Sequence, residues 1–216
     1  MTKKQIELEH AKTFVDVLFG VLIALPLTEE FPQLAINVIA SPSLSSGGSL
    51  LLLAAALVFS TFYWLEVRRF VDEQSVFDRA YRGSIGLSLG RLFGGLIMVA
   101  LVAAILKFAN VDKFRPFLIT NLLFWVADSL GNIGLKLKYR HANVKSINED
   151  SDEYKWYAVH IRSYKYILYS ILNVVFFGLV LAGDYIMPDR DDYRFIVTAS
   201  VFVITLVRHL FWRPKL

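Results

Sequence analysis

Six long apolar segments, separated by short charged stretches, constrain this chain more than anything else in it. They run roughly over residues 11–28, 49–67, 84–108, 116–137, 166–184 and 195–212. Most approach the ~20 residues that a helix needs to cross a bilayer core. Lipid cannot satisfy backbone N–H and C=O groups, so segments of this kind are expected to be helical. The expected fold is therefore all-α: a six-transmembrane-helix integral membrane protein forming one membrane domain over residues 1–216. The composition agrees, with 56% hydrophobic residues and a mean hydropathy of +0.49. Soluble domains have about 45–50% apolar residues.

The basic residues give the expected orientation. If the N-terminus is cytoplasmic, 17 of the 23 lysines and arginines fall on the inner side and 5 on the outer side, with Arg91 inside a span. Cytoplasmic loops carry the basic excess, so both termini are placed inside. Residues 138–165 form the longest cytoplasmic segment, and Glu153–Lys165 reads as an interfacial helix leading into the fifth span. The polar start, MTKKQIELEHAK, and the lack of an A-x-A-type site argue against a cleavable signal peptide. The expected setting is a prokaryotic inner or plasma membrane, with the lipid bilayer as the first partner. Membrane topology accounts for the net charge of +4, which makes no case for nucleic acid.

Several kinds of chemistry are disfavoured. Cysteine is absent, which excludes disulfides and thiolate chemistry. The four histidines, His10, His141, His160 and His209, form no close ligand set, so no metal and no cofactor is expected. There is no P-loop, no G-x-S-x-G elbow, no TVGYG filter and no basic repeat of the voltage-sensor kind. An enzyme is the least supported class.

The first apolar segment carries one carboxylate, Asp16. Its neutralisation by Lys12, Arg68 or a backbone donor is one reading; the other makes Asp16 the anchor of a pore-lining helix through bonds to other helices. Between Asp16 and Thr28 the helix has no polar side chain, so it is either buried core or the wall of a narrow apolar pore. Pro26 is expected to kink its outer end. Ala35–Ala40 is too short to span and reads as a re-entrant or interfacial piece, and Ser41–Ser49 (SPSLSSGGS) reads as a flexible loop. In the third span Gly86, Gly90 and Gly94 repeat every four residues, a spacing that lets helices approach closely. Arg91 and Asp128 lie within the third and fourth spans. They are expected either to pair, because an unpaired charge in lipid is costly, or to serve a proton or ion relay. Asn121, Asn132 and Asn173 are expected as interhelical glue.

Two short stretches carry a family resemblance. The first reads His10-Ala11-Lys12-Thr13-Phe14-Val15-Asp16 and runs into a continuous apolar helix; the second reads Phe62-Tyr63-Trp64-Leu65-Glu66-Val67-Arg68-Arg69. Together they resemble the transmembrane protein 175 family of lysosomal and prokaryotic potassium channels. That family opens with Arg-x-x-x-Phe-Ser-Asp and often ends its second span in Tyr/Phe-Trp-x-Asn-His-His-Arg. Phe14, Asp16, Trp64 and Arg69 match; His10 and Val15 stand where the family has arginine and serine, and the Asn-His-His core is missing. The resemblance has some specificity over the first 70 residues or so and is topological beyond them. It implies a homotetrameric channel for monovalent cations, with four first helices around the pore. Phe14 and Asp16 would anchor the pore helix, and Val21, Leu25 and Thr28 would line it. The alternatives are a secondary or proton-coupled transporter, with Asp16 or Asp128 titrating, and a non-conducting scaffold subunit using the glycine face.

Overall fold

The structure is a computed structural model that describes residues 3–82, 89–139, 163–187 and 190–211. The described residues are all-helical, without strands. The helices are α1 (Lys3–Leu25), α2 (Phe31–Ala40), α3 (Leu44–Arg82), α4 (Leu89–Lys107), α5 (Phe114–Tyr139), α6 (Lys165–Ile186) and α7 (Asp191–Phe211). Each apolar segment of the sequence falls on one of the long helices. Gly86 and nearly all of the segment 138–165, including most of Glu153–Lys165, lie outside the described residues.

Three stretches are both long and apolar enough to cross a membrane: Leu44–Arg68, Val111–Leu137 and Lys165–Ile186. This is fewer than six, and in two of the other helices charges bound a short apolar part. In α1 the uncharged part, Val17–Leu27, extends only about 16 Å, against a hydrocarbon core of ~30 Å. In α7 the apolar part, Phe195–Val207, extends about 20 Å between Arg194 and Arg208. Of α4, the apolar part from Gly94 to Lys107 is among the described residues. The three qualifying helices suggest a membrane protein. So does the outer face of α6, where Leu168, Leu172, Val175 and Leu179 stand exposed at helical spacing. An exposed apolar stripe of this length is a liability in water.

The first segment does not stop at Pro26. Proline has no N–H for the i−4 carbonyl, and the chain relieves this with one π-turn over Pro26–Glu30, closed by the Phe31 N–H on Pro26 O. The chain then continues directly into α2, whose Ile36 and Ile39 are exposed. The serine- and glycine-rich stretch departs from expectation, since only Ser41–Ser43 is loop and α3 begins at Leu44. Ser43 and Ser46 cap that start reciprocally. The Ser46 N–H donates to Ser43 Oγ at 3.0 Å, and the Ser43 N–H donates to Ser46 Oγ at 3.1 Å. Gly48 is small because Val111 packs on it; a Cβ there would stand 2.9 Å from a Val111 methyl. Ser49 Oγ donates to Asn110 Oδ1 and accepts from the Val111 N–H, tying the α4–α5 turn to α3.

The core lies where α3, α4, α5, α6 and α7 meet. Leu52, Leu53, Val102, Ile105, Phe117, Leu118 and Phe124 are fully or almost fully buried. Phe59 stacks on Tyr63 at 5.9 Å, and Phe124 meets both rings edge-on at 5.1 and 5.0 Å. Trp125 carries the cluster to Tyr169 of α6, and Phe19 of α1 leans on Tyr63. Tilted and edge-to-face pairs of this kind contribute about 0.5–1.5 kcal/mol each beyond area burial.

At the opposite end, Gly183 lets α6 and α7 meet. The Tyr193 hydroxyl lies against Gly183 and donates to Val180 O at 2.9 Å. Gly183→Ala should therefore lower the thermal midpoint of the purified protein, by the equivalent of about 1–3 kcal/mol for an overpacked contact. Adding Tyr193→Phe should recover part of that loss. Gly178→Ala, with nothing within 4 Å of its Cβ, should leave the midpoint unchanged.

Candidate functional site

Asp16 is held by α3. The Trp64 indole N–H donates to Asp16 Oδ1 at 2.9 Å, and Arg68 Nη1 stands 3.7 Å from Oδ2. The two contacts differ in weight. Arg68 is half-exposed and Asp16 partly so, and an ion pair of that kind contributes about 0–1 kcal/mol. A directed hydrogen bond to a charged acceptor contributes about 1.5–3 kcal/mol, so Trp64 is the main fastening. Both readings of Asp16 thus meet in one geometry: Arg68 lies beside the charge, and the bonds run to another helix. The side chain of Lys12 lies outside the described residues.

This fastening sets the roll of α1. Phe19 and Pro26 face inward and are buried, while Phe14, Val17, Val21 and Leu25 are 62, 61, 51 and 50% exposed. Thr28 continues the exposed face, with its hydroxyl donating to Ala24 O at 2.9 Å. That hydroxyl proton is spent on the helix itself. The wall from Val21 to Thr28 offers no free donor and only the oxygen's remaining lone pairs as a polar feature. Of the two expected anchor residues, Asp16 is fastened to α3, while Phe14 is exposed.

Asp128 accepts from Ser170 Oγ of α6 and from Asn132 Nδ2 at 3.1 Å. Arg91 falls within α4, but its side chain lies outside the described residues, as do the surroundings of Gly90. Gly94 is exposed, and a Cβ there would meet nothing within 4 Å, so within the subunit it packs on no helix. The three asparagines depart from expectation. Asn121, Asn132 and Asn173 donate to their own helices, at Phe117 O, Asp128 O and Tyr169 O. The i−4 carbonyl is always within reach, and it captures one of the two amide N–H groups.

The strongest electrostatic feature sits at the other end of the bundle. Asp184 is fully buried near the C-terminus of α6. Arg115 Nε donates to its Oδ2 at 2.6 Å, Arg115 Nη2 to its backbone oxygen at 3.2 Å, and Arg194 Nε to its Oδ1 at 3.3 Å. Arg115 also lies 4.9 Å from the Tyr185 ring centroid. One carboxylate therefore joins the starts of α5 and α7 to the end of α6. Nearby, the Tyr193 N–H and the Arg190 guanidinium hold the exposed Asp192 below the usual carboxylate range. Sequence reasoning left these residues as loop charges. The available signal was a carboxylate and two arginines at the edges of three apolar segments, all on one side.

Comparison with family models, curated proteins and solved structures finds no match. The site must therefore be read from its own geometry. Among the described residues, no three His, Asp or Glu side chains stand together to hold a metal ion. The arrangement can do two things: fasten helices through carboxylates, of which Asp184 is fully buried, and present an apolar face of α1 that the described residues leave uncovered.

Two outcomes test the fastenings. Asp184→Asn should destabilise, by about 1.5–3 kcal/mol, because it removes the charge to which both arginines donate; Asp192→Asn should not change the midpoint. At the other end, Trp64→Phe should cost about 1.5–3 kcal/mol and Arg68→Gln under about 1 kcal/mol. Thermal unfolding in detergent reads both comparisons.

Proposed function

We propose that the chain is a subunit of an oligomeric cation channel of the potassium type, a distant member of the transmembrane protein 175 family. In this reading α1, α3, α4, α5, α6 and α7 all cross the bilayer, with both termini cytoplasmic. The shorter apolar crossings of α1 and α7 are sheltered by neighbouring helices or met by local thinning of the bilayer. Four copies assemble with α1 at the centre, and Val21, Leu25 and Thr28 form the apolar constriction. A constriction of that kind gates by dewetting and lets a monovalent cation pass without holding it tightly.

One observation carries the reading. Asp16 fixes α1 to α3 by one edge, and the residues that the resemblance makes pore-lining occupy the exposed edge. Lipid contact alone would also suit such a face. The meeting of Asp16 with Trp64, one matching position from each of the two family-like stretches, favours the pore.

A proton-coupled carrier is the second reading. The observation that favours it is Asp128, a carboxylate midway along α5 with hydroxyl and amide donors around it. It predicts saturating flux whose coupling is lost in Asp128→Asn.

Potassium flux into liposomes decides between them. The chain has no cysteine, so Leu25→Cys introduces a single thiol. Thiol reagents should block flux through Leu25→Cys and leave Leu179→Cys, on the outer face of α6, unaffected. A Leu25→Cys protein that is labelled and still conducts fully would rule out α1 as the pore wall.

A further inference from the structure

A partly open cavity of about 30 Å³ lies between α3, α4, α5, α6 and α7. Much of its wall is apolar or aromatic, with Phe59, Phe117 and Phe177 among the lining side chains. Two buried amides break that wall, Asn121 of α5 and Asn173 of α6. Each donates one amide N–H to its own helix, Asn121 to Phe117 O at 2.9 Å and Asn173 to Tyr169 O at 2.8 Å. What remains of each is the second N–H and the amide oxygen, an acceptor to which no described residue donates. Thr205 adds a third acceptor, because its proton goes to Val201 O.

The geometry points to a permanent internal water site, with one or two water molecules donating to Asn121 Oδ1 and Asn173 Oδ1. The cavity selects this ligand by three criteria. It offers acceptor oxygens beside amide N–H groups, so it suits a small neutral molecule that both donates and accepts. It contains no carboxylate, so a bare cation would leave its hydration shell without a counter-charge, at a cost far above what two amide oxygens return. Its volume exceeds the ~10–15 Å³ that one water needs and falls well short of an organic ligand. An apolar cavity of this size stays dry, but an unbonded amide oxygen in a dry core would forfeit about 1–3 kcal/mol.

The water supplies what the asparagines lack, a link between helices. α5 and α6 are joined at one end by Arg115 and Asp184 and further along by Asp128 and Ser170. Between these lies the cavity, where a water donating one proton to each asparagine closes the gap. The proposal is independent of whether the protein conducts ions.

X-ray radiolytic footprinting of the wild-type protein in nanodiscs tests this, because bound water hydroxylates the side chains beside it. Trp125 and Phe177, which line the cavity and are buried, should be labelled well above Phe19 and Phe124, which are equally buried but away from it. Labelling of Trp125 and Phe177 no greater than that of Phe19 and Phe124 would show a dry cavity and overturn the proposal. The folded variant Asn121→Leu/Asn173→Leu should lose the excess labelling; its persistence would overturn the assignment to the asparagines.

Discussion

A carboxylate inside an apolar bundle must be met by donors from elsewhere in the chain, and that requirement orders this structure. Asp16, Asp128 and Asp184 each sit on one helix and take a hydrogen bond from another. Asp16 joins α1 to α3 through Trp64, Asp128 joins α5 to α6 through Ser170, and Asp184 joins α6 to both α5 and α7 through two arginines. Apolar packing alone tolerates rotation of one helix against another, because leucine fits leucine at several settings. A directed bond to a carboxylate allows one setting. These contacts therefore fix which face of each helix looks inward.

The consequence is sharpest for α1. It has few neighbours in the subunit, and its roll depends on the Asp16–Trp64 bond and on Phe19 beneath Tyr63. With that edge held, Val21, Leu25 and Thr28 are turned outward together. The π-turn at Pro26 then carries the chain past the last of them without a break, so the exposed face runs to Thr28 and the acidic pair Glu29 and Glu30 follow beside it.

Much of this was legible in the sequence, and the rest was not, for physical reasons. Apolar runs locate helices because burial in lipid or core follows composition, and every long apolar segment became a helix. Ser41–Ser49 misled because serine and glycine serve two ends: they loosen a loop, and they let helices touch. Here Ser43 and Ser46 cap α3 through a local pair, and Gly48 admits Val111, a contact with a residue more than 60 positions away. The Arg115–Asp184–Arg194 cluster was hidden for a related reason. Its members stand 69 and 10 residues apart, and charges at segment ends read as solvated topology markers until the fold brings them together. Asn121 and Asn173 were legible as buried polar groups, but not the direction of their bonds, because an amide chooses between its own helix and a neighbour only once the packing is set.

The central claim is that the outward face of α1 closes on copies of itself. Imaging of purified particles in a lipid environment tests it most directly. The account predicts a fourfold ring with α1 nearest the axis and Val21, Leu25 and Thr28 facing it. A monomer, or an assembly in which α1 faces lipid, would contradict it.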